Sequence, residues 1–185
     1  MENRIKLMEK SEASAQSQEM LSQIEQKFGK IPNVFKMMAN SPAVLKSYLC
    51  FSGALSEGKL CPQIQERIAL YIAQLNGCEY CLAAHSMIAQ GAVLSSDEIL
   101  MARQGMSSDR KANAALGFVL EMFETRGQID TEILDEIREA GFCDEEIMEM
   151  TAAISLNILT NSLNSLAQTE VDFPKVKECG SCSCC

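Results

Sequence analysis

The sequence predicts an all-α fold of seven or eight helices. Three observations predict it: apolar residues recur at spacings of three and four, helix starts and stops punctuate the chain at short intervals, and no segment sustains the period-two alternation of a strand.

The first helix candidate lies around Met20, Leu21, Ile24 and Phe28. Ser41-Pro42 is an N-cap followed by proline at the first helical position, and its apolar run stops near Gly58. Cys61-Pro62 opens another helix, in which Ile64, Ile68, Ile72 and Leu75 repeat until Gly77. A third runs from about Glu79 to Gln90 and meets Gly91. Ser95-Ser96-Asp97-Glu98 fits a capping box. Further helices are predicted from about Asp109 to Arg126, from Asp130 to Ala140, and from near Asp144 to about Gln168. The last carries two apolar stripes, Ile147, Met150, Ile154, Ile158 and Leu156, Leu159, Leu163, Leu166. A helix apolar on two sides must be buried on two sides, either in the centre of a monomer or against another subunit.

With 185 residues the chain is long enough for one domain with a real core. Residues 1–174 are expected to form it, and residues 175–185 a mobile Cys-rich tail. Sixteen basic against twenty-five acidic residues give a net charge of −9, which argues against nucleic-acid binding and against docking on an anionic membrane. The longest uncharged run, Met150 to Thr169, has ten Ser, Thr, Asn or Gln among twenty residues and does not read as a membrane span. The first residues carry no apolar stretch of a secretory signal, so a cytoplasmic location is expected.

The nine cysteines are unevenly placed. Cys78 and Cys81 form a C-x-x-C, Cys179, Cys182, Cys184 and Cys185 crowd the last seven residues, and Cys50, Cys61 and Cys143 are scattered. In a reducing cytosol, paired cysteines do redox chemistry or bind metal more often than they staple a fold.

The C-x-x-C opens a helix just after the Asn76-Gly77 turn. Unpaired N–H groups of a first helical turn favour thiolate over thiol. Cys78 and Cys81 lie about 60° apart around the axis, and Cys81 and His85 about 40° apart, so all three share a face. His85, the single histidine, can take or relay a thiol proton or stabilise the thiolate as imidazolium. Position at the helix start favours Cys78 as the activated thiol, whereas the spacing to a base favours Cys81. Structural zinc competes with redox use but needs four ligands where this segment offers three. Two inert cysteines and a core histidine are the plain alternative. Asn157, Asn161 and Asn164 form a polar stripe on the last helix and need partners, in a pocket or across helices.

Glu66, followed after eleven residues by Cys78-x-x-Cys81-x-x-x-His85, resembles the alkylhydroperoxidase D-like branch of the carboxymuconolactone decarboxylase superfamily. Phe28-Gly29-Lys30-Ile31-Pro32-Asn33-Val34-Phe35 is similar to the opening segment of its subfamily of uncharacterised peroxidase-related proteins. Asn157 to Asn164 and then Asp172-Phe173-Pro174 look like the closing helix and exit of that subfamily. The resemblance implies an all-α fold assembling into homotrimers or homohexamers, and a thiol peroxidase. It assigns peroxide attack to Cys81, resolution of the sulfenic acid to Cys78, and proton relay to Glu66 and His85, partly through water. No cofactor and no metal are expected. The residue between the cysteines is often His in the family, whereas Tyr80 stands here. The decarboxylases generally lack the cysteine pair, which argues against lactone decarboxylation. From the residues alone Glu66 is harder to place: in a straight hairpin turning at Gly77 it sits roughly 12 Å further from the turn than Cys81, so a splayed crossing or a neighbouring subunit is needed, and a solvated Glu beside Arg67 is the plain reading.

Two functions follow. One is reduction of hydrogen peroxide or organic hydroperoxides through a Cys81–Cys78 disulfide, with a thiol protein as reductant. The other is a soft-metal, metalloid-binding or redox-sensing protein that uses the tail thiols with Cys78, Cys81 and His85. The tail itself reads as a thiol shuttle, as a metal-capturing loop or, with its terminal Cys-Cys, as a prenylation signal.

Overall fold

The computed structural model describes residues 4–176, and the four tail cysteines lie outside them. Nine α-helices are found among the described residues: α1 Ala15–Phe28, α2 Asn33–Met38, α3 Pro42–Ser56, α4 Pro62–Leu75, α5 Glu79–Gly91, α6 Ser96–Arg103, α7 Arg110–Thr125, α8 Thr131–Glu139 and α9 Asp144–Ala167. A short 3₁₀ turn, Lys10–Glu12, precedes them, and no strand is present among the described residues. The all-α expectation holds, with one more helix than foreseen. The addition is α2, six residues long and too short for an apolar period to announce it.

Local chemistry explains where the helices begin. Ser41 Oγ accepts from Val44 N–H at 3.4 Å, with Pro42 at the first turn. Asp109 Oδ1 accepts from Ala112 N–H at 2.7 Å. Such caps satisfy backbone donors that the helix itself leaves open.

The helix surrounded on most sides is α4, which packs against α5, α6, α7 and α9. Ile64, Ile68 and Ile72 face Leu116, Val119, Met150 and Ile154 in the main core. Leu70 faces the other way, toward Ala89, Ile99 and Ala102. The N-terminal helices form a second core, with Leu21, Phe35, Met38 and Leu45 against Ala167 at the end of α9. Neither stripe of α9 is buried along its whole length. Ile147, Met150, Ile154 and Leu156 are buried, whereas Ile158, Leu159 and Leu166 are exposed within this chain. No helix among the described residues is long and apolar enough to cross a membrane.

The capping box expected at α6 is half made. Ser95 Oγ accepts from Glu98 N–H at 3.1 Å, but the Glu98 carboxylate does not turn back to Ser95. It accepts instead from Arg67 Nη2 at 2.8 Å, from Ser107 Oγ at 2.8 Å, and from the amide and hydroxyl of Ser108. Arg67 is buried in α4, and a buried guanidinium is a stronger claimant on a carboxylate than one amide. Burial pushes the Glu98 carboxyl up, but bonds from Ser108, Arg67 and Ser107 outweigh it and hold it at about 2, below the ordinary 4.5.

Because the folded value is depressed, this stabilisation is present in full above the ordinary carboxyl value and is lost as pH falls through the folded one. Glu98→Gln is expected to cost about 3 kcal/mol at pH 7, since it strands the buried Arg67 charge. Urea unfolding across pH checks this: the gap between wild type and variant is constant near neutrality and narrows from the ordinary 4.5 down toward about 2.

Candidate active site

Helices α4 and α5 are joined by Asn76-Gly77, and Gly77 has φ +62°, a left-handed conformation that glycine adopts without a Cβ penalty. The reversal puts Cys78 at the N-cap of α5, where its sulfur accepts from Cys81 N–H at 3.3 Å. Cys78 and Cys81 are joined as a disulfide with Cα atoms 5.4 Å apart. Both are buried, packed with Ala73, Tyr80 and Leu82. The remaining described cysteines, Cys50, Cys61 and Cys143, are free and exposed.

Glu66 belongs to the same constellation. Its Oε2 lies 2.9 Å from His85 Nδ1, both side chains being partly buried. Neither a splayed crossing nor a second subunit is needed for this contact. The group that Glu66 meets is His85 rather than Cys81, and His85 lies further from the turn, so the axial offset is only about 5 Å at 1.5 Å per residue. A carboxylate can only accept, so Nδ1 carries a proton and Nε2 is the basic nitrogen of the neutral ring.

The asparagine stripe of α9 divides. Asn157 Nδ2 donates to Ala153 O at 2.8 Å within its own helix. Asn161 Oδ1 accepts from Asn76 Nδ2 at 2.9 Å and ties α9 to the turn before Cys78. Asn164 Nδ2 points at Cys81 Sγ, 3.4 Å away. An amide donor there favours a thiolate on Cys81 over a thiol. Sequence reasoning saw the stripe but not this contact, because helical spacing says which residues share a face and not which sulfur faces them.

Tyr80, between the cysteines, has a structural task. Its hydroxyl donates to Asp172 Oδ1 at 2.8 Å and accepts from Val34 N–H at 3.0 Å. Burial is the main cause that raises its pKa far above the ordinary range, so it stays protonated and relays nothing at neutral pH. Phe173 packs edge-on against its ring, 5.5 Å between centroids. Asp172 in turn takes Lys30 at 3.3 Å and Asn33 N–H at 3.3 Å. The opening segment and the exit thus meet on the first turn of α5.

Beside the disulfide lies a recess of about 430 Å³, bordered by Gly77, Cys78, Tyr80, Asn164, Thr169 and Val171 among others. Asn164 Oδ1 and Thr169 Oγ1 are buried without a hydrogen-bond partner among the described residues. Tyr80→Phe is expected to lower stability by about 1–2 kcal/mol through the lost hydroxyl bonds. It is also expected to leave the alkylation rate of the reduced cysteine pair within about twofold of wild type, since the hydroxyl moves no proton to it. Urea unfolding and iodoacetamide kinetics on reduced protein check the two halves separately.

Residues 42–122, which hold α3 to α6, the C-x-x-C and most of α7, match the carboxymuconolactone decarboxylase family. No curated protein matches the chain in sequence. Among solved structures, an uncharacterized peroxidase-related protein from Ralstonia eutropha JMP134, described as an alkylhydroperoxidase AhpD core, is similar with TM-score 0.82 and 22% identity over 92% of each chain. An uncharacterized peroxidase-related protein from Silicibacter sp. TM1040 gives 0.79 and 21%, covering 90% of this chain and 89% of its own. The debrominase Bmp8 in complex with 2,3,4-tribromopyrrole gives 0.76 and 21% over 93% of each chain. At these identities the structures share a fold. The chain has the AhpD-like fold, and the carboxymuconolactone decarboxylase match covers its residues 42–122.

Proposed function

We propose that the protein is a thiol peroxidase that reduces hydrogen peroxide or organic hydroperoxides in antioxidant defence. The observation that carries this reading is a cysteine pair, disulfide-bonded at the head of a helix, with a carboxylate-oriented histidine four residues after Cys81. Cys81 is the attacking thiol and Cys78 the resolving one. His85 Nε2 takes the Cys81 proton, Glu66 orients the imidazole through Nδ1, and the Asn164 amide points at the Cys81 sulfur.

The thiolate attacks one peroxide oxygen, the O–O bond breaks, and the leaving alkoxide or hydroxide receives a proton from the imidazolium. Cys81 is left as sulfenic acid. Cys78, as thiolate, attacks that sulfur, the hydroxyl leaves with a proton as water, and the disulfide forms. An external dithiol returns both cysteines to the reduced state. The family also contains decarboxylases and the fold also serves a debrominase, so the electrophile is chosen by the cysteines and their surroundings and not by the fold.

Thiol titration of reduced, metal-free protein after one equivalent of peroxide tests the reading. Wild type is expected to lose two thiols rapidly. Cys81→Ser is expected to show none of this fast phase, and Cys78→Ser to accumulate a sulfenic acid on Cys81 that dimedone traps. A dimedone adduct on Cys78 in the Cys81→Ser variant reverses the two roles. If peroxide consumes no thiols and a soft metal co-purifies stoichiometrically, the binding-protein reading replaces this one.

The working unit on this reading is a homotrimer or homohexamer. Met148, Leu159 and Leu166 are all exposed. Separations of eleven and seven residues put them within about 20° of one another around α9. A row of exposed large apolar side chains on one helix face is the kind of surface that self-association covers. Light scattering at micromolar concentration is expected to give three or six times the chain mass, and a stable monomer removes the claim.

A further inference from the structure

We propose that the tail pair Cys179-x-x-Cys182 is the immediate reductant of the Cys78–Cys81 disulfide, entering at Cys78; the inference rests on that disulfide being the redox couple of the preceding reading. Three independent features carry it.

The first is the path of the chain. After α9, Thr169 and Val171 form one wall of the recess beside Cys78, and Asp172 and Phe173 are held on Tyr80. Val176, the last described residue, packs against the cluster that contains both cysteines. Cys179 follows three residues later and Cys182 six, so they reach at most about 10 Å and 21 Å from it. A dithiol tethered to Val176 within that reach has the effective concentration of a short linker, on the order of millimolar.

The second is the asymmetry of the disulfide. Cys78 borders the recess, and Cys81 is the sulfur that receives the Asn164 amide. In thiol–disulfide exchange the attacked sulfur must be reachable and the leaving sulfur must bear charge well. Attack at Cys78 with departure of Cys81 meets both conditions. The third is the recess lining. Asn164 Oδ1 and Thr169 Oγ1, both on residues that border it, are buried without partners among the described residues. An amide oxygen that can accept from a backbone N–H, beside a hydroxyl that can donate to a carbonyl, fits an extended peptide laid over Cys78.

The exchange balances without an added oxidant. Cys179 thiolate attacks Cys78 Sγ, the Cys78–Cys81 bond breaks, and Cys81 leaves as thiolate. Cys182 thiolate then attacks Cys179 Sγ and Cys78 leaves. Two electrons have passed from the tail dithiol to the active-site pair, and an external protein dithiol reduces the Cys179–Cys182 disulfide at the surface.

The test uses diamide as oxidant, so that it does not depend on peroxide turnover. In the full-length Cys81→Ser, Cys182→Ser, Cys184→Ser, Cys185→Ser variant, diamide followed by trypsin is expected to yield a Cys78–Cys179 peptide pair formed within one chain. In the second arm, wild type and a chain ending at Glu178 are oxidised and then reduced with thioredoxin or with dithiothreitol. Truncation is expected to slow reduction by thioredoxin at least tenfold and reduction by dithiothreitol less than twofold. Equal thioredoxin rates, or a Cys78 that stays alkylatable while Cys179 pairs only between molecules, overturn the proposal. Protein that passes both arms but consumes no peroxide keeps the tail relay and loses the peroxidase reading.

Discussion

The reversal of the chain at Gly77 is the constraint on which the rest depends. It sets α4 and α5 side by side, and every group of the site is then placed by its distance from that turn. Cys78 falls at the N-cap, Cys81 one turn in, and His85 one turn beyond that, level enough with Glu66 for a direct contact. Because α4 is buried on most of its surface, the hairpin cannot slide without disturbing the main core. The register between Glu66 and His85 is therefore held by Ile64, Ile68 and Ile72 as much as by the contact itself.

A second constraint comes from the ends of the fold. Tyr80 binds Val34 from the opening segment and Asp172 from the exit, and Asp172 recruits Lys30 and Asn33. Segments far apart in sequence are thereby joined on the residue that separates the two cysteines. The interval inside the C-x-x-C is part of the tertiary structure, which explains why a residue able to move protons is not required there.

Much of this was legible in the residues. Ser41-Pro42, Cys61-Pro62 and Asp109 mark helix starts because capping is local chemistry, and the sharing of one face by Cys78, Cys81 and His85 follows from helical pitch alone. Contacts between helices were less legible. Glu66 looked remote because its natural reference is the reactive thiol, whereas the group it meets is the histidine one turn further on. The Asn157, Asn161, Asn164 stripe gave a face but not a partner, and its members serve their own helix, the hairpin turn and the Cys81 sulfur respectively. Ser95 and Glu98 spelled a capping box, yet a guanidinium thirty-one residues earlier claimed the carboxylate, and no local pattern announces that.

The claim of Glu98 on Arg67 has a consequence for the α4–α5 helix pair. Arg67 follows Glu66 directly, and a guanidinium is a stronger partner for a carboxylate than an imidazole is. With Arg67 held by Glu98 and by the Gln63 carbonyl on the far side of α4, the Glu66 carboxylate is left for His85. Two adjacent opposite charges on one helix are kept from cancelling each other by a third residue in another helix. Glu98 touches neither cysteine, yet it acts as an electrostatic partition that decides which partner the Glu66 carboxylate keeps.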